Sequence, residues 1–206
     1  MQSGVLMEFS DVVRRRRMVR DFDERPLPPD AVKQILADAM RGPSSGFTQG
    51  FEFLVFEGSV QTARFWQAVP WWDQPKWDGA RRAPLIIVPL AHEEAYVESY
   101  RRPEKAEFGR NSGEDFPSPY WFIDTAFAAM LVLLSAVDAG FGGFYFSIGP
   151  TSKEIPRFIE SFGIPPGYYP IGAIAVGYPG GSHGPQSAKI VELRRPPSAM
   201  IHKGGW

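Results

Sequence analysis

The sequence predicts a layered α+β or α/β domain, and three observations carry that expectation. Helix-patterned and strand-patterned stretches alternate along the chain. One apolar stretch, residues 122–137, has the length of a core helix. The 206 residues, 44% hydrophobic and 22% charged, suit one domain large enough to bury a sizeable core.

The elements follow in order. Ser10 is placed to cap a helix over DVVRRRR, with Asp11 in its positive first turn and arginines in its negative last turn. PPDAVKQILADAMR is a second helix, because Val32, Ile35, Leu36, Ala39 and Met40 share one face. GPSSG ends it. FEFLVFE (51–57) and LIIVPL (85–90) read as strands, short, apolar and rich in β-branched or aromatic residues. Between them lies RFWQAVPWWDQPKWDGARR, with four of the six tryptophans. Residues 96–121 are polar, proline-broken and aromatic. The expected organisation is a single domain over 1–206 with excursions at about 60–82 and 96–121, and long ordered loops are often functional. A helix over about 122–138 follows, closed by Gly140. GGFYF (142–146) is a candidate strand, and Thr151 and Glu154 have capping-box spacing for a short helix within 152–162. IGAIAVGYP (171–179) is a last strand, ahead of a tail that holds Arg194 and Arg195.

Composition excludes several chemistries. With no cysteine there is no disulfide, thiolate metal site, iron–sulfur cluster or cysteine nucleophile. His92, His183 and His202 are widely separated and make no ligand-spaced pair. G-x-S-x-G and a Walker loop are absent, and Tyr145 breaks the register that G-x-G-x-x-G would need after Gly140. The net charge of −1 argues against a general nucleic-acid or membrane-surface binder. The apolar run 122–137 holds Asp124 and falls short of the roughly 20 residues a bilayer span needs. It reads as a core helix. MQSGVLMEF lacks a secretory pattern, so a cytoplasmic protein is expected.

Against that neutral background, five arginines occupy seven positions, 14 to 20. Arg14 and Arg15 read as the solvated, dipole-matched end of the first helix. Arg16, Arg17 and Arg20 form one cluster, GPSSGFTQGFEF (42–53) a hydroxyl-rich turn, and Arg194 with Arg195 a second cluster. Each alone has an ordinary surface or helix-stop reading. Together they suit a ligand with a phosphate at one end and a flat polar ring at the other, since arginine forks bind phosphate bidentately.

The order of these motifs resembles the FMN-dependent nitroreductase family. That family opens with R-R-S-x-R-x-F, matched here by Arg16, Arg17, Met18, Val19, Arg20, Asp21 and Phe22. Its P-S-x-x-N-x-Q-P-W turn corresponds to Pro43 through Phe51, with Gln49 in place, Phe47 where Asn is usual, and Gly50-Phe51 for Pro-Trp. DTAFAAMLVLLSAVDAGFGG, GFGGFYFSIG, IGAIAVGYP and RRPPSAMIHKGGW match later segments, so the likeness covers most of the chain outside the excursions.

The resemblance implies a three-layer α-β-α sandwich with a central, mostly antiparallel sheet, an intertwined homodimer, and FMN at each of two subunit interfaces. Arg16 and Arg17, with Arg195 and Arg194, would hold the phosphate; Met18 stands in that clamp where the family commonly has Ser. Arg20 would lie under the flavin ring near its pyrimidine edge. Pro43, Ser44, Ser45 and Phe47 would come from the partner subunit, with Gln49 in the same turn, and Tyr145, Phe146 and Ser147 would line the opposite side. NADH or NADPH would donate hydride and a small-molecule acceptor, such as a nitroaromatic or quinone, would be reduced. The cofactor performs that chemistry, so no catalytic side chain is assigned. The stretches 65–77 and 96–121 would cover the flavin and choose the acceptor, or pack helically across the dimer. Dehalogenation, enone reduction or dehydrogenation of a heterocycle is the specialised alternative, and a non-catalytic flavin-binding protein the other. No metal, nucleic acid or membrane is expected.

Overall fold

The computed structural model describes residues 7–181 and 192–206. Its centre is a five-stranded antiparallel sheet: β1 (Phe51–Glu57), β2 (Leu85–His92), β5 (Ala173–Gly177) and β3 (Gly142–Phe146) lie in that order, and β4 (Tyr168–Pro170) also pairs with β2. Alternation along the strands assigns the faces. Ile86, Val88, Ala173, Ala175, Phe144 and Phe146 enter one core. Leu85, Ile87, Ile174 and Val176 enter the other. Because β2 and β5 are buried on both faces, they read in sequence as unbroken apolar runs.

Helices cover both faces, giving the three-layer α+β sandwich. On one side α2 (Pro29–Ala39) and α6 (Tyr120–Asp138) pack on the sheet and on each other. The buried positions of α6, from Trp121 through Asp124, Thr125, Ala128, Ala129, Val132, Leu133 and Ala136 to Val137, repeat every three to four residues. This helix is long and apolar enough to cross a membrane, yet that face is spent on the sheet. Its other face leaves Phe122, Phe127 and Met130 exposed.

The opposite layer differs from the expected excursion at 60–82. Residues Gly58–Ala68 form α3, followed by 3₁₀ turns at Pro70–Trp72 and Pro75–Trp77 and the short helix α4 (Asp78–Arg81). Phe65 and Val69 are fully buried, and the stretch fills the layer with α7 (Ile155–Phe162). Prolines and polar residues interrupt the periodicity there, but the aromatic rings pack as core. The 96–121 stretch holds α5 (Glu93–Tyr100) and two 3₁₀ turns, and it builds a third cluster from Tyr96, Val97, Tyr100, Phe116 and Trp121.

Three boundaries shift. The first helix, α1 (Phe9–Arg15), starts before Ser10, so Glu8 rather than Ser10 occupies the N-cap. The helix α6 begins at Tyr120, and the predicted strand 171–179 is the shorter β5 preceded by a separate β4. The Thr151–Glu154 capping box is present as expected, with Pro156 in the first turn of α7, where its missing N–H is free of cost.

Candidate functional site

The arginine stretch runs from the end of α1 along the outer edge of β3. Arg16 takes the C-cap of α1 with an extended backbone, and Met18 forms a parallel bridge to Gly143. The Val19 amide donates to the Gly143 carbonyl at 2.9 Å. This approach needs glycine in β3, since a Cβ on Gly142 would lie 2.6 Å from Val19 Cγ2. Met18 packs against both cores, and its Sδ accepts the Tyr145 N–H at 3.5 Å. The side chain expected in a phosphate clamp is therefore an apolar plug.

The cations separate cleanly. Arg14 pairs with Asp11 within α1. Arg16 is half-buried, and among the described residues its side chain joins no hydrogen bond or ion pair. Arg17 is half-buried beside it. Arg20 is exposed, donates to the Met18 carbonyl at 3.3 Å, and lays its guanidinium 4.7 Å from the centre of the Phe144 ring. Arg194 and Arg195 lie in the exposed stretch 192–206, where Arg195 donates to the Ala199 carbonyl. His183 falls outside the described residues.

At 145–147 the side chains turn away from the β3 edge. Phe146 is buried against Trp66 and Trp72, and the Tyr145 hydroxyl donates to the Ile171 carbonyl at 2.5 Å, with burial raising its pKa. Ser147 is exposed, and its carbonyl accepts Trp72 Nε1 at 3.1 Å. Phe146 therefore packs in the core, while Ser147 is exposed at the end of the strand. Trp66 and Trp72 thus brace this segment through Phe146 and the Ser147 carbonyl.

The turn 43–50 is held by buried polar groups that sequence reading missed. The Ser45 amide donates to Asp124 Oδ2 at 2.8 Å, and the buried Tyr96 hydroxyl donates to the same oxygen at 2.7 Å. Burial first, then Asp124, pushes the Tyr96 phenol pKa well up. Ser45 Oγ meets the Tyr100 hydroxyl at 2.9 Å, Ser44 Oγ accepts the Gln49 amide, and Lys105 Nζ donates to the Gly46 carbonyl at 2.7 Å. Pro43 and Gln49 are exposed. The backbone is strained: Phe47 has φ +52° and Gln49 φ +55°, a region bulky side chains avoid. The Phe47 ring is 79% exposed.

The Nitroreductase family model matches residues 13–178, a span that includes the arginine stretch, the turn and β3. The chain belongs to the nitroreductase family. A Methanothermobacter thermautotrophicus protein provisionally named NADH dehydrogenase/NAD(P)H nitroreductase is 23% identical over 173 residues, 84% of this chain and 78% of that one. Among solved structures, a nitroreductase family protein from Clostridium difficile 630 superposes with a TM-score of 0.72 at 19% identity, covering 97% of this chain and 100% of that one. Nitroreductase A from Vibrio parahaemolyticus gives 0.71 at 17% identity, with 97% and 78% covered. These likenesses establish the nitroreductase fold, and family membership supports a general oxidoreductase.

Proposed function

We propose that this nitroreductase-family protein is an FMN-dependent oxidoreductase that takes hydride from NADH or NADPH and reduces a small acceptor such as a nitroaromatic or quinone. The observation that carries the reading is Arg16, a half-buried residue whose side chain has no protein partner among the described residues, next to Arg17 and two positions before the Met18 bridge to β3. A guanidinium whose donors are open is matched by an anion, and a phosphate monoester accepts its planar fork bidentately. The residues present therefore fit FMN.

Arg16 and Arg17 would hold the phosphate, joined by Arg194 and Arg195. Arg20, fixed over Phe144, would place positive charge beside the ring, which favours the electron-rich reduced form. The main chain at Tyr145–Ser147 would flank the ring, and Ser44, Ser45 and Phe47 would approach from a second subunit. A homodimer is supported by apolar side chains this chain leaves exposed: Phe127 and Met130 on α6, Phe9 and Val13 on α1, and Ile201 and Trp206 in the tail. When bound, FMN supplies a two-electron relay. The net reaction balances as NAD(P)H plus H⁺ plus quinone giving NAD(P)⁺ plus hydroquinone.

The test is direct. Purified protein should be yellow with one FMN per subunit, bleach anaerobically with NADH or NADPH, and recover colour on adding a nitroaromatic or quinone. Protein that neither retains nor rebinds flavin would sink the proposal.

A further inference from the structure

A cavity of about 540 Å³ opens between the strained turn and α5. One wall is Gly46–Gln49 and the other is the face of α5 made by Ala95, Glu98 and Ser99, continued by Arg102, Glu104 and Lys105. Its volume suits a small organic molecule. Two of its groups carry recognition chemistry.

The first is Lys105, which hydrogen bonds hold in place. Its Nζ donates to the Gly46 carbonyl at 2.7 Å and to the buried Ser99 Oγ at 2.8 Å, with the Tyr100 ring centre 4.8 Å away. An ammonium has three N–H donors and no acceptor, so one donor and the full charge remain. The second is Phe47, whose exposed ring stands at the cavity lip on a left-handed backbone. The charges that could cancel Lys105 are Glu98 and Glu104; both are exposed, and among the described residues neither pairs with Lys105 or with Arg102.

We infer that this cavity is the acceptor-selecting wall of the site and that it favours flat aromatic acceptors bearing an anionic substituent, the ring stacking on Phe47 and the anion meeting Lys105 with Arg102. The inference rests on the flavin reading for its place in the reaction, but its recognition chemistry comes from this wall alone. A fixed cation with a free donor selects an anion over a neutral oxygen, and an exposed ring at the lip offers a stacking face to another ring.

The experiment compares matched pairs on the flavin-loaded, full-length protein. Turnover uses 4-nitrobenzoate against 4-nitrobenzyl alcohol, and equilibrium binding uses 2-naphthoate against 2-naphthylmethanol, with and without added FMN. The anion should be preferred about fivefold or more in both, and the preference should fade as salt rises. Lys105→Met should abolish it and Lys105→Arg retain it. Because Lys105 also holds the turn, Arg102→Gln serves as a second variant and should lower the preference without changing thermal stability. Phe47→Asn should weaken both members of each pair alike. Equal use of anion and alcohol, or a preference that survives in Lys105→Met combined with Arg102→Gln, overturns the inference. Flavin bleaching and reoxidation without charge preference sinks this inference alone, whereas loss of flavin binding sinks the flavin reading first.

Discussion

Ser45 and Asp124 are joined by a single hydrogen bond, backbone amide to Oδ2 at 2.8 Å, across 79 positions of sequence. That bond ties the site turn to the core helix, and the buried Tyr96 hydroxyl shares the same oxygen. Replacing Asp124 by Ala strips both donors of their acceptor at once. Leaving buried donors unsatisfied costs about 1–3 kcal/mol each, so Asp124→Ala should lose roughly 2–6 kcal/mol in urea unfolding. Asp124→Asn, which keeps one acceptor oxygen, should lose less. Equal stability of Asp124→Ala and wild type would refute the anchoring role.

Tyr96 also sets an alkaline limit. Its folded pKa is raised, so the folded state keeps the phenol protonated while the unfolded chain ionises near pH 10. The stabilisation is therefore complete below about pH 10 and is lost as pH rises beyond it. Urea midpoints measured from pH 8 to 11 should fall more steeply for wild type than for Tyr96→Phe. Parallel curves would remove Tyr96 as the cause.

The proposed phosphate role divides the arginine run into two halves that substitution can tell apart. Arg16→Ala should weaken FMN binding roughly ten- to hundredfold, the worth of one charge-assisted contact of about 1.5–3 kcal/mol. Arg14→Ala, which removes a pair internal to α1, should leave it unchanged. Flavin fluorescence titration of both variants reads the difference, and identical affinities would count against the phosphate assignment.

Phe127 and Met130 stand on the face of α6 that this chain does not use. A charge there should oppose a subunit interface at little cost to the free fold. Phe127→Glu should shift sedimentation from dimer to monomer and lower flavin occupancy with it. A variant that stays dimeric and fully loaded would place the interface elsewhere.

Much of the fold was legible because its signals are local. The α2 face repeats at 32, 35 and 39, the β1 and β3 runs are short and apolar, and Thr151 with Glu154 caps at fixed spacing. The strand β4 was not, because three residues carry no period. The tryptophan-rich stretch misled because Pro70 and Pro75 break periodicity without preventing burial. Arg16 and Arg17 were visible as a cluster. Lys105 was not, since a lone lysine in a polar stretch gains meaning only when folding brings it to Gly46. The left-handed backbone of Phe47 was equally hidden, because nothing in a Phe announces positive φ.

The strip at Met18 and Val19 also guards the sheet. β3 is the last strand of its sheet, and an unguarded outer strand recruits other chains into intermolecular β-structure. Val19 occupies the Gly143 carbonyl and the Met18 sulfur occupies the Tyr145 amide, so two rungs of that ladder are already taken. Removing the N-terminal segment would leave Gly142–Phe146, a run of glycine and aromatic residues, facing solvent with its rungs open. Truncated chains should consequently precipitate during expression, so solubility in this protein depends on the same short segment that carries Arg16 and Arg17.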